Sequence, residues 1–113
     1  MAPVRYGRRN KYGAKRTTVD GIAFASQHEA RRYQVLAAMA RAGVIQRLEL
    51  QPRYPLVVNG VPVSSYRADF VYVVSRTGEV ITEDAKAGPT RTRDYIIRKK
   101  LMRAIHQIEI VEV

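Results

Sequence analysis

The sequence predicts an α/β domain in which helices pack on a mixed sheet. Three observations carry this. A capped, amphipathic helix begins after Ser26. An Asn59-Gly60 turn and an SRTG turn fold the middle of the chain into antiparallel strands. A second helix over 92–106 then separates those strands from a terminal one, IEIVEV. At 113 residues and 46% hydrophobic, the chain suits one folding unit with a modest core.

Residues 1–20 read as a basic arm broken by Gly7 and Gly13, and 21–113 as the folded domain. IAFA (22–25) is a short extended piece. In SQHEARRYQVLAAMARAG, Ser26 is an N-cap and Glu29, three residues on, completes a capping-box pattern. Ala30, Tyr33, Leu36, Ala37 and Ala40 form the apolar stripe, and Gly43 stops the helix. VIQRLELQPRYPLVV is extended, with Pro52 and Pro55 marking an edge or a bend. Asn59-Gly60 is a hairpin turn. YRADFVYVV (66–74) reads as one strand and EVITEDAKA (79–87) as its return. In the second helix Ile97, Leu101, Ala104 and Ile105 are expected inward, and Arg91, Arg93, Arg98, Lys99 and Arg103 outward. IEIVEV (108–113) is the last strand.

Charge narrows the function. Twenty Lys and Arg oppose ten Asp and Glu, for a net +10. Arg5, Arg8, Arg9, Lys11, Lys15 and Arg16 all precede the first acid, Asp20. Such a balance points to nucleic acid ahead of anionic lipid, with Arg8, Arg9 and Lys11 as phosphate contacts. The plainer reading of the arm is a solvated tail. No apolar run approaches the roughly 18 residues of a membrane span, and the N-terminus has no apolar core of a secretory signal. The absence of cysteine excludes disulfides and thiolate zinc sites and fits a reducing cytoplasm. No G-x-x-x-x-G-K-[ST] loop is present, which argues against an ATPase.

ITEDAKAG (81–88) places Glu83 and Asp84 inside an apolar extended stretch. If SRTG is a four-residue loop, or a two-residue loop at Arg76-Thr77, Val74 pairs with Glu79 and Asp69 lies opposite Asp84. Opposed residues share a face, with Cβ atoms about 4.5–5.5 Å apart. A three- or five-residue loop would break that alignment. Two readings of the pair stand. In one, an acid is protonated, solvated or bridged to an arginine such as Arg67. In the other, a divalent cation sits between the carboxylates, as suits Mg²⁺ with its oxygen ligands and retained waters. Alternation puts Lys86 on the face of Asp84 and turns Glu83 away. Lys86 is then a surface lysine or a partner for water and phosphate. On the second helix Arg91, Thr92, Tyr95, Lys99 and Lys100 are candidate DNA contacts, with a solvated helix face as the alternative.

Asp69, then Glu83-Asp84-Ala85-Lys86 on the next strand, resembles the PD-(D/E)xK nuclease superfamily. That superfamily has a restriction-endonuclease-like core of helix, three antiparallel strands, helix and strand. A closer likeness is to small phage and prophage proteins with segments like SQHEARRY, YRADFVY, EDAKAG and TRDYIIRKKL, over about residues 20–113. Ala68 stands where the name motif has proline. The resemblance implies a Mg²⁺- or Mn²⁺-dependent DNA endonuclease. Asp69, Asp84 and Glu29 would be metal ligands and Lys86 the catalytic lysine, although capping remains a complete alternative role for Glu29. It further implies a Holliday-junction resolvase-like preference for branched DNA and a homodimer. It also implies phage replication or recombination partners in the cytoplasm of a bacterial cell. The rival expectation is a non-catalytic basic DNA-binding accessory protein with a nuclease-like shell.

Overall fold

The computed structural model describes residues 16–86 and 91–113. Among these, ten elements run in the order β1 (Thr17–Val19), β2 (Ile22–Phe24), α1 (Gln27–Arg41), β3 (Ile45–Leu50), β4 (Arg53–Val58), β5 (Val61–Arg67), β6 (Phe70–Val74), β7 (Val80–Asp84), α2 (Arg93–His106) and β8 (Ile110–Glu112). Four strands form the central sheet in the order β3-β6-β7-β8. Its pairings are antiparallel except for the parallel β7–β8 pair, which α2 connects. The fold is therefore α/β with a mixed sheet, as the sequence predicts.

Helix α1 begins at its predicted cap: Ser26 Oγ accepts the Glu29 N–H at 3.1 Å. The return bond of a capping box is displaced by one residue, because Glu29 Oε1 accepts from Ala25 N–H at 3.3 Å rather than from Ser26. Gly43 follows the C-cap Ala42 with φ +79°, a left-handed geometry that glycine adopts without a Cβ penalty. Ala30 and Leu36 are buried against Phe24, Ile45, Phe70 and Tyr72, and Tyr33 stacks obliquely on Phe24.

The predicted strand over 66–74 is two strands, β5 and β6, in different sheets. Register explains why the two read as one. It runs unbroken from Leu56↔Ser64 through Arg53↔Arg67 in the β4–β5 hairpin to Leu50↔Phe70 in the β3–β6 pair. Residues 45–74 are thus one long antiparallel ribbon, turned back at Asn59-Gly60, where both φ values are positive (50° and 78°). Its bend lies at Gln51-Pro52 on one strand and Ala68-Asp69 on the other. Bonds from Ala68 N–H to Pro52 O and from Gln51 N–H to Asp69 O span it.

Two further expectations are corrected. Thr17–Val19, assigned to the arm, pairs with Ile22–Phe24 as a small hairpin over α1. In α2 the inward residues are Tyr95 and Met102, with Leu101 and Ile105 packed beside them. Ile97 is 49% exposed and Ala104 is exposed. The stripe is rotated because α2 packs against the β4–β5 hairpin and β8 rather than across the middle of the central sheet. Strand β8 is also shorter than IEIVEV. No helix among the described residues is long and apolar enough to cross a membrane.

Candidate active site

The acid pair forms where the ribbon bends. Asp69 directly precedes β6 and donates its N–H to Glu83 O at 3.1 Å, while Asp84 ends β7. Val74 N–H donates to Glu79 O, closing the predicted turn, and Phe70 pairs with Glu83. One step further along the same register, Asp69 stands beside Asp84, and their carboxyl groups adjoin. Asp69 Oδ2 also accepts the Ala85 N–H at 2.8 Å.

Burial sets the electrostatics of this pair. Asp84 is 5% exposed, and loss of hydration followed by the adjoining Asp69 carboxyl pushes it up to about 7. Asp69 is raised too, first by burial; the nearby charge of Glu29 adds to the rise. Tyr66, buried on β5, donates its hydroxyl to Asp84 Oδ2. The phenol itself is held far above its ordinary range by burial and then by that carboxylate.

Glu29 is 6% exposed in the first turn of α1 and reaches Asp69 with its carboxyl. Three acids from three elements, α1, the ribbon bend and β7, therefore adjoin in series. Among the described residues no three His, Cys, Asp or Glu side chains form a preformed cation cage. The arrangement instead suits a hard cation that takes one or two carboxylates and keeps its waters. Lys86 lies on the Asp84 side as alternation requires. Its Nζ is 3.8 Å from Asp84 Oδ2 and 3.9 Å above the Tyr95 ring.

Glu83 faces the other way and is structural. Only 1% exposed, it accepts a fork from Arg32, Nε to Oε1 at 2.9 Å and Nη2 to Oε2 at 2.6 Å, and the Tyr72 hydroxyl as well. Arg32 is raised further by this bond, and Tyr72 is pushed up to about 12 by burial and then by Glu83. Arg67, suggested as a partner for one of the Asp69–Asp84 pair, is exposed, and the cation beside Asp84 is Lys86 instead. Sequence reasoning missed Arg32, Tyr66 and Tyr72. A signal for Arg32 existed, since Glu29, Arg32 and Leu36 recur at helical spacing on one face of α1.

The candidate DNA contacts divide. Thr92 is the N-cap of α2, its Oγ1 accepting the Tyr95 N–H at 3.1 Å. Tyr95 is buried and donates its hydroxyl to Glu112 at 2.7 Å, so it serves the core rather than a free surface. Arg91 and Lys99 also bind Glu112, at 2.8 and 3.2 Å. Arg91 first and Tyr95 second hold Glu112 down to about 2. Lys100 is exposed. Arg8, Arg9 and Lys11 lie outside the described residues. His28 bonds through Nε2 to Val113 O at 2.8 Å.

A pH dependence follows from the pair. Asp84 binds a proton more tightly folded than unfolded, where a free aspartate titrates near about 3.9. Stability from this group is thus full below about pH 4 and is lost as pH rises through about 7. Metal-free protein in EDTA should lose on the order of a few kcal/mol between pH 5 and 8, read from urea midpoints. Asp84→Asn should flatten that slope. Glu112 acts with the opposite sign, losing its contribution only as pH falls toward about 2, below this window.

Residues 9–111 match the family model described as "Protein of unknown function (DUF1064)", and the chain belongs to that family. No curated protein and no solved structure matches it.

Proposed function

We propose that this member of the DUF1064 family is a Mg²⁺- or Mn²⁺-dependent DNA endonuclease of the PD-(D/E)xK type, selective for branched DNA. The observation that carries the reading is the adjoining pair of half-buried Asp69 and buried Asp84, with Lys86 on the same side, in a chain of net charge +10. Two carboxylates in one poorly hydrated place repel one another, and either a proton or a cation relieves them. The donor set is all oxygen, which fits Mg²⁺ or Mn²⁺. Asp69 and Asp84 would hold the ion, with Glu29 at the Asp69 end.

When bound, such an ion supplies positive charge against the negative charge that builds on the phosphate. The chain's own groups do the rest. Tyr66 fixes one oxygen of Asp84, and the backbone N–H of Ala85 fixes one of Asp69. Lys86 has the reach to orient a water or a phosphate oxygen, with its ammonium seated over the Tyr95 ring. A homodimer, phage recombination partners and a cytoplasmic setting belong to the same proposal.

One observation favours a second reading, that of a DNA-binding accessory protein without turnover. The site is self-consistent without an ion: a proton on Asp84 relieves the repulsion, and Lys86 lies beside it. Incubating a labelled four-way junction and a linear duplex with Mg²⁺ or EDTA separates the two. The nuclease cuts the junction in Mg²⁺ and stops in EDTA. Salt-sensitive DNA binding with no cleavage and no calorimetric uptake of Mg²⁺ or Mn²⁺ sinks the proposal in favour of the accessory role.

A further inference from the structure

A cleft of about 330 Å³ opens between α2 and β8, and Tyr95 belongs both to its wall and to the catalytic side, where its ring carries Lys86. The cleft's floor is apolar, from Ile96, Ile108 and Ile110, and Ile96 is 43% exposed. Its positive charge is unevenly spent. Glu112 engages Arg91 and Lys99 and offsets part of their charge. Among the described residues Arg103 pairs only with Glu109, at 3.2 Å, with side chains 73% and 68% exposed, so water screens the pair. Lys100 makes no ion pair among the described residues. Ile96, Lys100 and Arg103 recur at i, i+4 and i+7, which places two available cations beside an uncovered isoleucine on one helix face.

We infer that this cleft receives an unpaired nucleotide of the bound DNA, its base against the isoleucines and its phosphate on Lys100 and Arg103. The inference rests on DNA being the substrate, as proposed above, and narrows it to DNA with a single-stranded segment beside the cut. A bare anion would use the cations and leave the isoleucines in water. An intact duplex would also meet the cations, but it keeps the flat faces of its bases stacked inside. Only a splayed nucleotide offers an apolar face and a phosphate together, the combination that grooves for single strands exploit. The cleft is also of the size that holds a small organic ligand.

Fluorescence anisotropy in EDTA, where no cleavage occurs, tests this with a blunt duplex and a tailed duplex of equal phosphate count. The tailed DNA should bind about tenfold more tightly. Lys100→Ala combined with Arg103→Ala should weaken both DNAs but cost the tailed one about tenfold more, so that its advantage is lost. Both positions are exposed, so circular dichroism should report an unchanged fold. Equal affinity of the parent for the two DNAs overturns the inference. So does an equal loss on both, which would mark the two cations as general phosphate contacts. Cleavage in Mg²⁺ is scored separately. Tail preference without cleavage leaves the cleft standing and removes the nuclease, whereas cleavage without tail preference does the reverse.

Discussion

Asp84→Asn should lower Mg²⁺-dependent junction cleavage by about 10³-fold or more, the scale on which one electrostatic element of an active site acts. The loss should fall on turnover rather than on DNA binding. The amide removes a negative charge that would repel phosphate, so affinity in EDTA should hold or tighten. Folding should survive as well. An amide oxygen still accepts from the Tyr66 hydroxyl, and the burial penalty on the charge and the repulsion by Asp69, which together raise Asp84 to about 7, disappear. At pH 8 the metal-free variant should therefore be at least as stable as the parent. A variant that cuts junctions at the parental rate would show that the strand acids are not the chemical centre. Unfolding of the variant would instead assign Asp84 a structural role.

The largest effect on stability should come from the opposite face of the same strand. Arg32→Ala strips the charge partner from Glu83, which is 1% exposed, leaving the carboxylate, among the described residues, with the Tyr72 hydroxyl. Removing one partner of a buried pair costs about 3–5 kcal/mol, a large part of the 5–15 kcal/mol that typically holds a domain folded. Urea unfolding of Arg32→Ala should show a loss of that size. Adding Glu83→Gln should recover much of it, because a neutral amide needs no counter-charge. A loss below about 1 kcal/mol would mean that solvent already reaches Glu83.

These two residues also mark what was legible in the sequence. A four-residue SRTG loop and simple alternation were enough to place Asp69 against Asp84, to add Lys86 and to turn Glu83 away, because side-chain direction in a strand has a period of two. The Asn59-Gly60 turn and both helices were equally readable from local turn and cap chemistry. The bend at Ala68-Asp69 was not. Nothing in YRADFVYVV interrupts the strand pattern, and the bend lies where the ribbon leaves the central sheet for the separate β4–β5 hairpin. The inward face of α2 was misjudged for a related reason. Tyr95 and Met102 are inward because of which strands the helix meets, and that is a tertiary fact. Arg32 and Tyr72 were invisible as partners of Glu83, since three elements distant in sequence have to converge before their chemistry is apparent.

The continuous ladder through the bend determines which parts of this chain are free to vary between relatives. Lengthening the tip beyond Val58 or Val61 adds rungs at a solvent-facing end and leaves the opposite end where it was. Inserting a residue between Ala68 and Phe70 instead shifts every position that follows. By the two-fold alternation of a strand, a carboxylate facing its partner then points toward the opposite layer. Length tolerance is thus polarised along a single ribbon, permissive at the turn and absent at the pivot. Selection for catalysis would act through backbone spacing as strictly as through the identity of the acids.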